Sequence, residues 1–183
     1  MVKQDKRKLI INAAYRVFAQ KGYENASIKD IASEASITPG LIHYYFKNKE
    51  ELLLSVQHNL QEEYHRQYAE KTKQDIHFHD VLQEIKCRAE KDPDWYRFRY
   101  EIYSIGLQNK EIQIEAAQLL KNGRQSLSEP LNMMFGEEAE EMASLLLACF
   151  DGLALQKIMD REFDIDRSYE LLETIIVKYL KNN

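Results

Sequence analysis

The sequence predicts an all-α chain of about nine helices, with a small basic N-terminal part, residues 1–50, ahead of a larger helical part, residues 51–183. Three observations lead there. Apolar residues recur at helical spacing through most of the chain. Three prolines and six glycines punctuate 183 residues, too few for a many-turned β architecture. The charge is asymmetric: residues 1–50 carry nine Lys/Arg against five Asp/Glu, a net of +4, and the remainder sixteen against twenty-five, a net of −9. With 44% hydrophobic residues, a chain of this length can bury a substantial core.

Lys3, Lys6, Arg7 and Lys8 form a basic arm leading into the first helix, whose apolar positions are Leu9, Ile10, Ala13, Ala14, Val17 and Phe18. The arm has two readings, phosphate contact or a solvated charge run. Gly22 ends the helix as a left-handed cap. Ser27, with Asp30 three residues on, caps a short second helix whose core face is Ile28, Ile31, Ala32 and Ala35. After a tight turn at Ser36 and Ile37, Thr38 and Pro39 supply an N-cap and a proline at the first helical position of a third helix. Two short helices and a tight turn form a helix-turn-helix, whose second helix enters the major groove of duplex DNA. From Thr38 to Tyr44 it runs about two turns, roughly 10 Å. With Ile42 and Phe46 inward, its outer side is left to Thr38, Pro39, Gly40, Leu41, His43 and Tyr44, where Leu41 suits a thymine methyl and His43 and Tyr44 suit bases or phosphates.

The stretches AAYRVFAQKGY, IKDIASEASI and GLIHYYFKNKEEL, in unbroken register over about the first 55 residues, resemble the N-terminal DNA-binding domain of the TetR family of bacterial transcriptional regulators. The resemblance implies DNA contacts from Ser27, Lys29, Thr38, Pro39, Gly40, Leu41, His43, Tyr44, Tyr45 and Lys49. It also implies that residues 1–50 are a three-helix DNA-binding domain and residues 51–183 a ligand-binding and dimerisation domain. The expected protein is a cytoplasmic homodimer, most often a repressor, that binds an inverted-repeat operator and is released by a small lipophilic effector. The sequence departs from the family's pattern at Ser36, where glycine is usual in the turn, at Pro39, where lysine or another polar residue is common, at Leu41, where threonine is common, and at His43, where tyrosine is usual. The operator sequence is therefore not transferable from a relative.

Asn48 with Glu51 opens a long helix through Leu52, Leu53, Val56, Leu60 and Tyr64 toward about Lys73. His58 and His65, seven apart on it, form either a pH-sensitive patch or a solvated face. His77, His79 and Asp80, with His65 and Cys87, invite a metal reading, but no His or Cys pair stands at i, i+4, and HFHD reads as a loop ending in an Asp cap. No metal and no cofactor are expected. Residues 80–91 form a helix with Val81, Leu82 and Ile85 inward, and KDPD breaks it. The next helix holds the most aromatic stretch of the chain. Because the resemblance implies a cavity in this region, the candidate ligand-binding residues are Tyr64, Trp95, Tyr96, Phe98, Arg99, Tyr103 and Phe150; ordinary aromatic core is the other reading. Arg97 and Arg99 suit an anionic effector group and Glu101 a cationic one.

Residues 110–135 form a further helix that Pro130 kinks or splits, and Gly136 stops it. The next segment is apolar nearly all round from Met142 to Met159, and the last helix, from Asp166 or Ser168, carries more apolar surface than one core face needs. Paired with their symmetry mates, these two form a four-helix dimer interface, with Leu146, Leu153, Leu172 and Ile176 as its candidates. No run approaches the ~20 apolar residues of a membrane span. Cys87 and Cys149, far apart in apolar stretches, read as buried thiols of a reducing compartment. No Ser/His/Asp or Cys/His signature and no phosphate-cradling glycine loop is visible, so an enzyme, or a helical protein-interaction module, stands only as an alternative.

Overall fold

A computed structural model describes residues 3–71 and 78–182; the side chains at positions 3, 4, 64, 65, 67–71 and 182 lie outside that description. The helices are α1 (Lys3–Lys21), α2 (Ile28–Glu34), α3 (Pro39–Tyr45), α4 (Lys49–Lys71), α5 (Phe78–Lys91), α6 (Pro93–Gly106), α7 (Lys110–Phe135), α8 (Ala139–Met159) and α9 (Ile165–Asn182), with a 3-10 turn at Gly136–Glu138. They form two compact units, Met1–Lys73 with Arg97–Glu115, and Gln74–Tyr96 with Ala116–Asn183. The division expected after residue 50 is not where the packing divides. Leu52, Leu53 and Val56 of α4 are completely buried and α4 packs on α1, so this helix belongs with the first three.

In the first unit α1 packs on α2 and α4, and α2 on α3. Ile10, Phe18, Ile31, Ile42 and Phe46 form its center, each no more than 2% exposed. The α6 segment of this unit closes the core: the Phe98 ring lies 6.5 Å from that of Phe18 and meets Tyr15 edge-on at 5.7 Å. Asn48 caps α4 by accepting from the Glu51 N–H at 2.7 Å, while the Glu51 carboxylate takes the Lys47 N–H at 2.8 Å. The expected basic arm is the first turns of α1, and part of its charge is used internally. Arg7 donates to the Ser55 hydroxyl at 3.0 Å and lies 5.1 Å from the Phe46 ring, and Lys8 pairs with Glu63 at 3.1 Å.

In the second unit α5 packs on α8 and α9, and α8 on α9. Phe150 and Tyr169 are both buried and stack in parallel at 5.9 Å. Lys86 and His79 of α5 pair with Asp166 and Glu173 of α9. Helix α5 begins two residues earlier than expected, so His79 and Asp80 sit in its first turn rather than in a loop. Helix α9 also begins early, because Asp164 accepts the Arg167 N–H at 3.0 Å and caps it. Pro130 lies inside α7, which runs through it unsplit. One stretch within Lys110–Met159 is long and apolar enough to cross a membrane by length and composition, and 22% of it is buried. It differs from the expectation that no run reaches that length because Asp151 and Lys157 interrupt it, so that no unbroken apolar run is present to count.

Candidate nucleic-acid interface

Helix α2 opens with a complete capping box. The Ser27 hydroxyl accepts from the Asp30 N–H at 3.1 Å, and the Asp30 carboxylate takes the Ser27 N–H at 2.9 Å and its hydroxyl at 2.6 Å. Lys21 closes on the other carboxylate oxygen at 2.6 Å. These bonds hold the Asp30 carboxyl well below the usual carboxylate range, the Lys21 contribution being the largest. The chain then turns through Ser36 at φ 52°, a left-handed conformation that favours glycine, and the Ile37 N–H returns to the Ala32 carbonyl at 2.9 Å.

Pro39 starts α3, and the hydroxyl of its N-cap, Thr38, makes no capping bond. The anchor side of α3 is Ile42, with Phe46 just past its end, both buried. Thr38, Pro39, Gly40, His43 and Tyr44 are exposed, Tyr44 to 68%, and Leu41 and Tyr45 are half-buried. The Tyr44 and Tyr45 rings meet edge-on at 5.1 Å. A Cβ placed on Gly40 would meet nothing within 4 Å, so no packing inside the chain requires glycine here, although glycine costs a helix about 1 kcal/mol relative to alanine. Ser27 and Lys29 are exposed at the start of α2.

Lys49 departs from the expected set. Its ammonium donates to the carbonyls of Tyr23 at 2.7 Å and Ala26 at 3.1 Å, and lies 4.2 Å from the Tyr23 ring center. It is a brace for the segment ahead of α2 rather than an outward cation. Burial, followed by Glu50 and Glu24, raises the Tyr23 phenol above its ordinary value. Glu101, a sequence candidate for a cationic effector, instead accepts the backbone N–H of Tyr23. Neither role is visible in local spacing, since the partners lie 26 and 78 residues apart.

The candidate ligand residues divide. Phe98, 1% exposed, is core of the first unit, and Arg99, 5% exposed, lies 5.3 Å from the Tyr103 ring center in the same unit. In the second unit, Trp95 meets the buried Tyr96 edge-on at 4.8 Å and has Arg88 5.1 Å from its ring center. The Tyr64 side chain lies outside the described residues, as do His77 and the side chain of His65. His58 bonds Glu115 at 3.1 Å. Among the described candidates, Phe150 is the one that lines an apolar cleft of the second unit, with Phe78, Val81, Leu127, Pro130, Leu131, Met134 and Leu146. Its volume is about 30 Å³, against roughly 300–1,000 Å³ for small-molecule pockets.

The dimer candidates also need correction. Leu146 and Ile176, 1% and 3% exposed, face the chain's own core, and Leu153 and Leu172 are half-buried. Among the described residues, the apolar side chains left most outward on these two helices are Leu145 and Met159 of α8 and Leu171 and Ile175 of α9, exposed by 55% to 78%. Cys149, expected to be buried, is exposed on α8, and Cys87 is half-buried. Which turn of an all-round apolar helix faces inward is decided by the neighbour it packs on.

The family described as bacterial regulatory proteins, tetR family, matches residues 10–56. The uncharacterized HTH-type transcriptional regulator YuxN of Bacillus subtilis is 49% identical over 53 residues, 29% of this chain and 18% of that one. The fatty acid metabolism regulator protein of Bacillus subtilis is 39% identical over 74 residues, 40% of this chain and 36% of that one. The matched regions thus span less than two fifths of these relatives' lengths. The crystal structure of the transcriptional regulator FadR from Bacillus subtilis in complex with stearoyl-CoA shares the fold at a TM-score of 0.75 and 21% identity, covering 93% of this chain and 97% of that one. The helix-turn-helix carried by residues 10–56 is thus similar to that of the tetR family of bacterial regulatory proteins.

Proposed function

We propose that this protein is a cytoplasmic, ligand-responsive transcriptional repressor that reads an inverted-repeat operator as a homodimer. The observation that carries the reading is the outer edge of α3. Tyr44, His43, Gly40 and Thr38 stand exposed on a seven-residue helix anchored by buried Ile42 and Phe46. A rigid short helix with an exposed hydroxyl, imidazole and phenol suits base edges and phosphates. The unburied apolar sides of α8 and α9 support pairing with a second copy, which would set two recognition helices about 34 Å apart, or a multiple of that, on DNA.

The apolar side chains that line the second unit's cleft support a lipophilic effector, and its small volume means that such a molecule binds by opening it. An effector lowers DNA affinity only by preferring the opened, poorly binding geometry. The relatives named for fatty acid metabolism and crystallised with stearoyl-CoA make long-chain acyl-CoA the first effector class to test.

The test is selection of random duplex DNA by the purified protein at physiological salt, with sequencing of what is retained. An enriched inverted repeat is the expected result, and stearoyl-CoA is then expected to release that duplex. Retention without a common sequence would reduce the binding to charge alone and overturn the reading.

A further inference from the structure

We propose that Glu101 is a positioning residue for the DNA-reading helices, holding the turn through which the chain enters α2. The inference rests on the DNA-reading function proposed above. The Glu101 carboxylate accepts the backbone N–H of Tyr23. Gly22 sits at φ 77°, and a Cβ there would stand 3.3 Å from Glu101 Oε1, so the turn both needs glycine's backbone freedom and is shaped closely around the carboxylate.

From the carbonyl side the same turn is held by Lys49, which bonds the Tyr23 and Ala26 oxygens. The Ala26 N–H closes back on the Gly22 carbonyl at 3.1 Å. An anion and a cation thus grip five consecutive residues by opposite backbone groups, and the residue that follows is Ser27, the cap of α2. Charge-assisted bonds are roughly twice as strong as neutral ones, so the two grips together fix the turn.

Helix α6 is continuous from Pro93. Its first turn carries Trp95 and Tyr96, which belong to the second compact unit, and Glu101 follows within about 9 Å of helix rise. Glu101 therefore stands on a stiff element that holds its carboxylate against the turn ahead of Ser27.

The experiment uses the full chain with Glu101→Ala and Glu101→Gln. Backbone hydrogen exchange without DNA is measured along the chain, together with affinity for the selected duplex. Glu101→Ala is expected to speed exchange at Tyr23 and through residues 27–45, and to weaken duplex binding, each by about tenfold, with exchange in α1 and α4 unchanged. Glu101→Gln, which keeps an acceptor oxygen without the charge, is expected to shift both in the same direction by about threefold, and it carries the test if the alanine variant does not fold. Acceleration confined to residues 22–26 with unchanged duplex affinity, or uniform acceleration through α1 and α4, would overturn the proposal. A wild-type protein that enriches no duplex sequence defeats the DNA reading alone, and the exchange pattern still decides whether Glu101 positions α2 and α3.

Discussion

The Lys49 ammonium lies 4.2 Å from the center of the Tyr23 ring and donates to that residue's carbonyl oxygen at 2.7 Å. A cation occupied in this way contributes to the fold. Lys49→Ala is expected to lower the unfolding free energy by about 1–3 kcal/mol and to leave the salt dependence of duplex binding nearly unchanged. Lys29→Ala, at an exposed position, is expected to change stability by less than about 0.5 kcal/mol and to reduce the salt slope by about one. Urea denaturation and affinity across a salt series check both, and the reverse pattern would return Lys49 to the DNA surface.

Ser36 holds φ 52° between α2 and α3 with its N–H bonded to the Ser33 carbonyl at 3.1 Å. A left-handed conformation costs a non-glycine residue about 1–2 kcal/mol, partly offset by the larger unfolded-state entropy of glycine. Ser36→Gly is therefore expected to stabilise the protein by up to about 1 kcal/mol, read as a rise in denaturation midpoint. A fall in stability would show that the serine makes a compensating interaction.

Tyr44 is exposed and His43 lies beside it on the outer face of α3. Alanine at either position is expected to leave the thermal midpoint nearly unchanged and to weaken binding to the selected duplex by about 1–3 kcal/mol at a base-reading position. Loss of folding in either variant would remove that residue from the DNA-reading set.

Leu145 and Leu146 are neighbours on α8 with opposite environments, 63% and 1% exposed. If the proposed pairing holds, the wild type sediments as a dimer in analytical ultracentrifugation, and Leu145→Glu is expected to sediment as a monomer with its helical content intact. Leu146→Ala is expected to cost about 2–5 kcal/mol of stability through the cavity it leaves. A Leu145→Glu protein that sediments like the wild type would place the partner-facing surface elsewhere.

Asp30 ties Lys21 to the cap of α2, and its folded pKa is depressed below the value of an unfolded aspartate. The sign follows from proton binding: above about pH 4 the carboxyl is ionised in both states and its stabilising contribution is complete. As the pH falls below that, the unfolded state takes up the proton first, and the contribution declines until the folded carboxyl is also protonated. The acid limb of the stability profile is expected to be shallower in Asp30→Asn than in the wild type. A carboxyl-carbon titration of Asp30 with an ordinary midpoint near pH 4 would contradict this.

The helix-turn-helix was legible because its signals are local. Ser27 reaches Asp30 three residues away, Pro39 stands at a first helical position, and Ile42 and Phe46 lie four apart, so caps, turn and buried face are all written within one or two turns of chain. The helical class and the outward set of α3 follow from the same short-range geometry. The early start of α9 is not read from the sequence because Asp164, rather than the nearby Asp166 or Ser168, supplies the cap, and that of α5 because Asp80, which reads as a cap, lies inside the first turn.

Tertiary structure alone decided what became of Lys49, Glu101, Phe98, Leu146 and Ile176. Position alone points each to DNA, ligand or partner, and each is engaged within the chain by groups 23 or more residues distant or by a neighbouring helix. A charged side chain of four or five bonds takes whichever backbone carbonyl or N–H the packing brings within reach, and an apolar helix face turns toward whichever neighbour excludes water. Local periodicity specifies that a helix forms and which of its faces are apolar; the partner of each face is set only when the helices pack.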